Sequence, residues 1–186
     1  MLSLDVDHLN RTFPKYPMTV QDKGWVYGVW YCGTAWRKAR MYGEYPPTFL
    51  ARALALVPGA ERIIHCPSGT VTGPGMTVDL VRDKVRVPQV VADAARLPFP
   101  DSTFDFYLSD PPYSDVDAKH YGTGHYPLNK AMKEAHRVVE NGGLVGLLHK
   151  YPPSYNRTNW EPLAMIAVMT GFSKIVRMFT VVRVVK

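Results

Sequence analysis

Four consecutive residues, Asp110, Pro111, Pro112 and Tyr113, close an apolar run that alternates with Asp105 and Ser109. A carboxylate accepts hydrogen bonds, and an aromatic ring offers a face on which a flat group can stack. Two prolines between them fix φ twice in succession, so both groups stay where the preceding strand leaves them. The same residue types also make ordinary strand-ending turns, and on the tetrapeptide alone that reading stays open. A second stretch, HCPSGTVTGPG from His65 to Gly75, combines ring, thiol and hydroxyl groups with turn chemistry. A third, SDVDAKHYGTGHYPLNK from Ser114 to Lys130, carries Lys119, His120, Tyr121, His125 and Tyr126 without apolar periodicity. No cysteine or acid cluster at ligand spacing accompanies His120 and His125, so no metal is expected.

Such groups need elements that present strand ends. Short apolar runs recur at Arg62–Cys66, Met76–Val81, Val90–Asp93, Phe104–Asp110 and Leu144–His149, each with an acid or a turn at its C-terminal end. Runs of this kind suit a parallel sheet covered on both faces. Leu128–Val139 has the pattern of an amphipathic helix ending at Asn141, Gly142 and Gly143, and Pro47–Leu56 that of a helix with proline in its first turn. Gly24–Cys32 reads as a strand, Trp160–Thr170 as a helix stopped by Gly171, and Lys174–Val185 as a long last strand with Trp25–Cys32 as its antiparallel partner. Residues 1–23 read as an irregular arm. The expectation is one α/β domain over residues 1–186, an open, mostly parallel, Rossmann-like sheet with binding positions at its strand ends.

The chain has 186 residues, enough for a core without disulfide staples. Twenty-two Lys and Arg against sixteen Asp and Glu give a net charge of +6, which favours a polyanionic partner as much as a merely soluble basic surface. Cys32 and Cys66 alone do not make a secreted disulfide framework. Met1–Asn10 lacks the pattern of a signal peptide, and no apolar stretch reaches membrane-span length. A cytoplasmic protein without a membrane is therefore expected.

The tetrapeptide Asp-Pro-Pro-Tyr, with Asp93, Ala94, Leu97, Pro98 and Phe99 upstream of it, resembles the S-adenosylmethionine-dependent methyltransferases that modify exocyclic amino groups of nucleic-acid bases, N6 of adenine or N4 of cytosine. By order of elements the resemblance spans residues 42 to 182. It implies the class I methyltransferase type of fold and S-adenosylmethionine as cofactor. An exocyclic amino group is a poor nucleophile because its lone pair is delocalised into the ring. The resemblance implies that the Asp110 side chain and the Pro111 carbonyl accept its two N–H bonds, that Pro112 stiffens the turn, and that Tyr113 stacks on a base taken out of its helix.

On the cofactor side it implies Ser68, Gly69 and Thr70 as the tail of the family's loop, Asp79 as the ribose acid, and Asp93 with Ala94 at the adenine edge. Tyr45 and Pro46 would flank the methionine end. His65 stands where the family usually has an acid, and the stretches 70–75 and 82–88 are too short for helices, so the fold is expected with reduced helices after its first two strands. Cys66 precedes Pro67, the reverse of the dipeptide in cytosine-C5 methyltransferases, and reads as a small buried residue.

Beside the tetrapeptide, the stretch with Lys119, His120, Tyr121, His125 and Tyr126 reads either as a loop that closes over a target nucleotide or as a plain solvated loop. Arg37, Lys38 and Arg40 are candidate phosphate contacts or a solvated face. The functional expectation is methyl transfer to a base amino group, N6 of adenine in DNA first. RNA or a small molecule is the alternative acceptor, and a cofactor-free module that holds nucleic acid or a protein is the alternative class. With no room for a separate recognition domain, a specificity partner or a homodimer is expected to supply selectivity.

Overall fold

The computed structural model describes residues 1–15, 19–33, 44–120, 122–171 and 175–186. Helix α1 (Val6–Thr12) starts where the Asp5 side chain accepts the His8 N–H at 2.7 Å, and it buries Val6 and Leu9. Strands β1 (Thr19–Asp22) and β2 (Trp25–Tyr31) pair antiparallel. The segment 1–23 is therefore not an irregular arm: it holds a capped helix and an edge strand. Helix α2 (Phe49–Leu56) leads into β3 (Ile63–His65), β4 (Met76–Asp79), β5 (Val90–Val91) and β6 (Phe104–Ser109) with no helix between these strands. Then come α3 (Asp115–His120), α4 (Leu128–Val138), β7 (Val139–His149), β8 (Trp160–Met169) and β9 (Arg177–Val184).

The strands form one sheet in the order β1-β2-β8-β9-β7-β6-β3-β4-β5. Strands β7, β6, β3, β4 and β5 pair parallel in sequence across that half. The chain steps outward from β3 to β4 and β5 on one side and returns to β6 and β7 on the other. The order thus reverses between β3 and β6, the place where open α/β sheets bind ligands.

Both sheet faces are covered, as the all-buried pattern of β3 and β6 requires. On one face α1 and α2 pack Leu9, Phe49 and Leu56 against Trp30, Phe106, Leu108 and Phe179. The Phe49 and Phe179 rings meet edge to face, 4.9 Å apart at 86°. On the other face α4 sets Ala131, Ala135 and Val138 on Tyr107, Val145 and Val182. Each large apolar side chain so buried contributes about 1.5–3 kcal/mol.

Trp160–Met169 is strand β8, not a helix. Its burial alternates through Ala164, Ile166 and Val168, and it pairs parallel with β2 and antiparallel with β9. Ala and Met favour helices in isolation, but backbone pairing on two sides overrides that preference. It follows that β9 finds its antiparallel partners in β7 and β8. Strand β2 does join the main sheet, yet two places away from β9 and parallel to β8. Helix α4 also passes straight into β7 without a connecting turn. Asn141, Gly142 and Gly143 form an irregularity inside the strand, where Phe104 pairs Val139 but Phe106 pairs Leu144. A Cβ on Gly143 would lie 2.8 Å from the Asp105 carbonyl oxygen, so only glycine lets the two strands approach there.

Candidate active site

Because β3 to β6 run parallel, their C-terminal ends open on one edge of the sheet, and the residues just past each end gather there. Cys66, Asp79, Ala92 with Asp93, and Asp110 all line one cleft of about 160 Å³.

The cleft wall is tied together by Asp79. One carboxylate oxygen accepts the Gly69 N–H at 2.8 Å and the other the Val81 N–H at 3.1 Å. This holds the loop after β3 to the end of β4, with Gly69 at φ +54, a conformation that favours glycine. Ser68 is buried beside it, its N–H on the Val78 carbonyl and its hydroxyl without a partner in the cleft wall. An orphaned hydroxyl next to a carboxylate is what a polar ligand at this edge would satisfy. Asp93 accepts the Ala95 N–H at 2.8 Å and, with Ala94, forms the wall past β5.

Tyr45 reaches the same cleft from the segment before α2, while Pro46 lies buried behind it and passes its carbonyl to the Phe49 N–H. His65 is fully buried outside the cleft lining. Its Nε2 sits 3.0 Å from the Pro74 carbonyl and its Nδ1 3.4 Å from the Tyr45 hydroxyl. Burial pushes the His65 pKa down, so the neutral ring donates through Nε2 and accepts at Nδ1. It pins the trimmed loop to β3 instead of facing a ligand. Thr70 also stands back from the lining.

Past β6, Asp110 and Pro112 line the cleft and Pro111 is buried. The Tyr113 hydroxyl donates to the Asp110 carboxylate, and Arg177 stands 3.7 Å from the other carboxylate oxygen. Burial pushes the Asp110 pKa up to about 6, with Arg177 and the Tyr113 hydrogen bond pulling the other way. Tyr113 itself is not part of the cleft lining. Its ring meets His149 edge-on at 5.2 Å, and the Lys150 ammonium lies 5.5 Å from its centroid.

The stretch read as a loop contains α3. Ser114 caps its start, the hydroxyl accepting the Asp117 N–H at 3.2 Å and donating its own proton to the Asp117 carboxylate at 2.8 Å. The Gly122 and Thr123 N–H groups close its far end on the Lys119 and Ala118 carbonyls. This end leaves Lys119 and His120 exposed and away from the cleft, while His125 and Tyr126 line it. His125 pairs with Asp115 at 2.7 Å, and Tyr126 shares a hydrogen bond with the Ser109 side chain. Tyr121, Arg37, Lys38 and Arg40 lie outside the described residues.

Two residues, one against Asp110 and one in the cleft wall, were not among the expected site residues, each for a physical reason. Arg177 reaches Tyr113 across 64 positions of sequence, a separation no spacing rule spans. Arg86 enters the cleft from the β4–β5 connection, where Asp83 grips its guanidinium at 2.6 Å.

A family model described as "Methyltransferase domain" matches residues 70–147, which run from the loop after β3 to β7 and include Asp79, Asp93 and the Asp110 turn. Among solved structures, TrmN from Thermus thermophilus is 17% identical with a TM-score of 0.51. That match covers 78% of this chain, which spans only about half, 51%, of the TrmN chain. The Escherichia coli protein yhhF, described as a candidate methyltransferase, is 13% identical with a TM-score of 0.50 over 84% of this chain and 98% of its own. No curated protein sequence matches the chain. The chain thus carries a methyltransferase domain match on a class I, Rossmann-like fold. Among the described residues, no helix is long and apolar enough to cross a membrane.

Proposed function

We propose that the protein transfers a methyl group from S-adenosylmethionine to an exocyclic amino group of a nucleic-acid base, with adenine N6 in DNA as the first acceptor to test and RNA as the second. The observation that carries this reading is the convergence at one sheet edge of Asp79, Asp93 and Asp110, the acids at the end of β4 and past β5 and β6, in one cleft. Asp79 would accept ribose hydroxyls, Asp93 and Ala94 would meet the adenine edge, and the Ser68 hydroxyl offers a further polar partner. S-adenosylmethionine supplies an electrophilic methyl group on a sulfonium.

Asp110 and the Pro111 carbonyl accept the two N–H bonds of the acceptor nitrogen, holding it so that its lone pair points at the methyl carbon. On transfer the sulfonium would leave as a neutral thioether, and the proton released by the nitrogen would pass to the Asp110 carboxylate or to solvent. Such a step depends on alignment more than on a strong base. The net charge of +6 suits a polyanionic acceptor, and a specificity partner or a second copy would supply selectivity.

Calorimetric titration with S-adenosylmethionine and S-adenosylhomocysteine tests the cofactor half. Micromolar binding, weakened at least about tenfold in Asp79→Ala, is expected, since a hydrogen bond to a charged group contributes roughly 1.5–3 kcal/mol. Methyl incorporation into DNA and RNA tests the acceptor half, and Asp110→Ala should lower it by on the order of 10²–10⁴-fold. No binding to either compound by the folded protein would replace this reading with that of a cofactor-free binding module.

A further inference from the structure

We propose that Tyr113 and Arg177 form a positioning pair that grips the Asp110 carboxylate, so that the tyrosine of this turn works through its hydroxyl and not through its ring face. The contacts form a closed triangle. The Tyr113 hydroxyl donates to one Asp110 oxygen, Arg177 Nη1 donates to the Tyr113 oxygen at 3.3 Å, and the same Nη1 lies 3.7 Å from the other Asp110 oxygen. An arginine N–H on a phenol oxygen draws electron density from its O–H bond and strengthens the bond that hydroxyl donates to a carboxylate.

The Tyr113 ring has little left to offer a base. His149 meets it edge-on, Lys150 lies within cation–π range, and the ring is absent from the cleft wall that Asp110 and Pro112 form. An ionised carboxylate has about four acceptor sites, so the Tyr113 hydroxyl leaves capacity for a ligand N–H.

The pair also decides the charge on Asp110. The Asp110 and Arg177 side chains are only 14% and 18% exposed, so the penalty of burying the carboxylate is offset chiefly by what touches it. The charged or titratable groups around it are Tyr113 in its own turn, Arg177 on β9 and Tyr45 before α2, with His149 at the end of β7 and Lys150 just past it acting on Tyr113. Of these, Arg177 and Tyr113 are the two that favour the ionised form.

The grip concerns this chain's own residues, and its catalytic meaning rests on the methyl-transfer reading. The test is a ¹³C-carboxyl NMR titration of the full chain without ligand, with Asp110→Asn used to identify the Asp110 resonance. The midpoint should lie near 6 in the unaltered chain. It should rise by on the order of tenfold in proton affinity in both Tyr113→Phe and Arg177→Met, and Arg177→Lys should restore part of the difference.

Tyr113→Phe keeps the ring and removes only the hydroxyl, so it remains informative if Arg177→Met fails to fold. An Asp110 midpoint unchanged in Tyr113→Phe would overturn the proposal. Once an acceptor is known, Tyr113→Phe should lower kcat with KM unchanged and move the acid limb of the pH profile upward. Full activity in Tyr113→Phe with loss in Tyr113→Leu would assign the ring to stacking and would also overturn it. The NMR titration uses neither methyl donor nor acceptor, so it stands or falls separately from the proposed reaction.

Discussion

Asp110 is the residue at which function and stability pull apart. Its ordinary carboxylate value is 3.8, and burial raises this to about 6 in the folded protein. The folded state therefore binds a proton more readily than the unfolded chain between those two values. The carboxyl costs nothing below pH 4, and the cost grows as pH rises toward 6 and is complete above it. Asp110→Asn, which keeps an oxygen for the Tyr113 hydroxyl, should thus raise Tm relative to the unaltered chain at pH 8 and lose that advantage by pH 4. For a chain of this size each kcal/mol recovered raises Tm by about 2–4 °C. Thermal denaturation across pH 4–8 checks this, and a Tm difference that does not vary with pH would show that Asp110 is not held ionised in a buried place.

At the scale of elements, β8 is the instructive case because helix and strand bury different residues of the same sequence. A strand buries Ala164, Ile166 and Val168 on one face and turns Met165 and Ala167 to the other, as observed. Ile166 has no exposed surface and lies in the cluster that holds Phe179. Ile166→Ala should therefore cost about 2–5 kcal/mol in denaturant unfolding, while Met165→Ala, on the half-buried face, should cost clearly less. Equal losses at the two positions would contradict the strand register.

Strands β3, β4, β6 and β7 were legible in the sequence because a strand buried on both faces is a continuous apolar run, and Asp79 at the end of β4 and Asp110 just past β6 mark where each run meets solvent. β8 was not, since its Ala and Met residues carry no β signal and only pairing with β2 and β9 decides it. α1 and α3 were missed although Asp5 and Ser114 are ordinary caps, because seven and six residues are too few to show a period. Asp79, Asp93 and Asp110 were named through the family resemblance, and the structure sets all three in the strand-end cleft. The placement of His65 was not legible, because a buried ring between Tyr45 and Pro74 is a tertiary fact. Nothing local in the sequence ties Arg177, on the last strand, to Asp110.

Across the whole molecule the sheet is lopsided. Strands β7, β8 and β9 have eleven, ten and eight residues, whereas β3, β4 and β5 have three, four and two. Long pairing anchors one half, and the cleft is built on the thin half, where loops replace the helices that would otherwise brace it. Those loops are held by single side chains: Asp79 on Gly69 and Val81, His65 on Pro74, and Gln89 whose oxygen takes the Thr77 N–H at 2.8 Å. Elements with few ladder bonds open at lower free energy than the rest, so the cleft side should exchange its amide hydrogens before the β7–β9 side does. A ligand seated against Asp79 binds only the closed form and must therefore stabilise this half most. At a hundredfold excess over its Kd it adds about 2.7 kcal/mol to global stability. Hydrogen exchange with and without S-adenosylhomocysteine should accordingly show slowing centred on the Gly69 and Val81 amides and little change along β8 and β9. Slowing confined to β8 and β9, with the Gly69 and Val81 amides unaffected, would place the ligand somewhere other than the strand-end cleft.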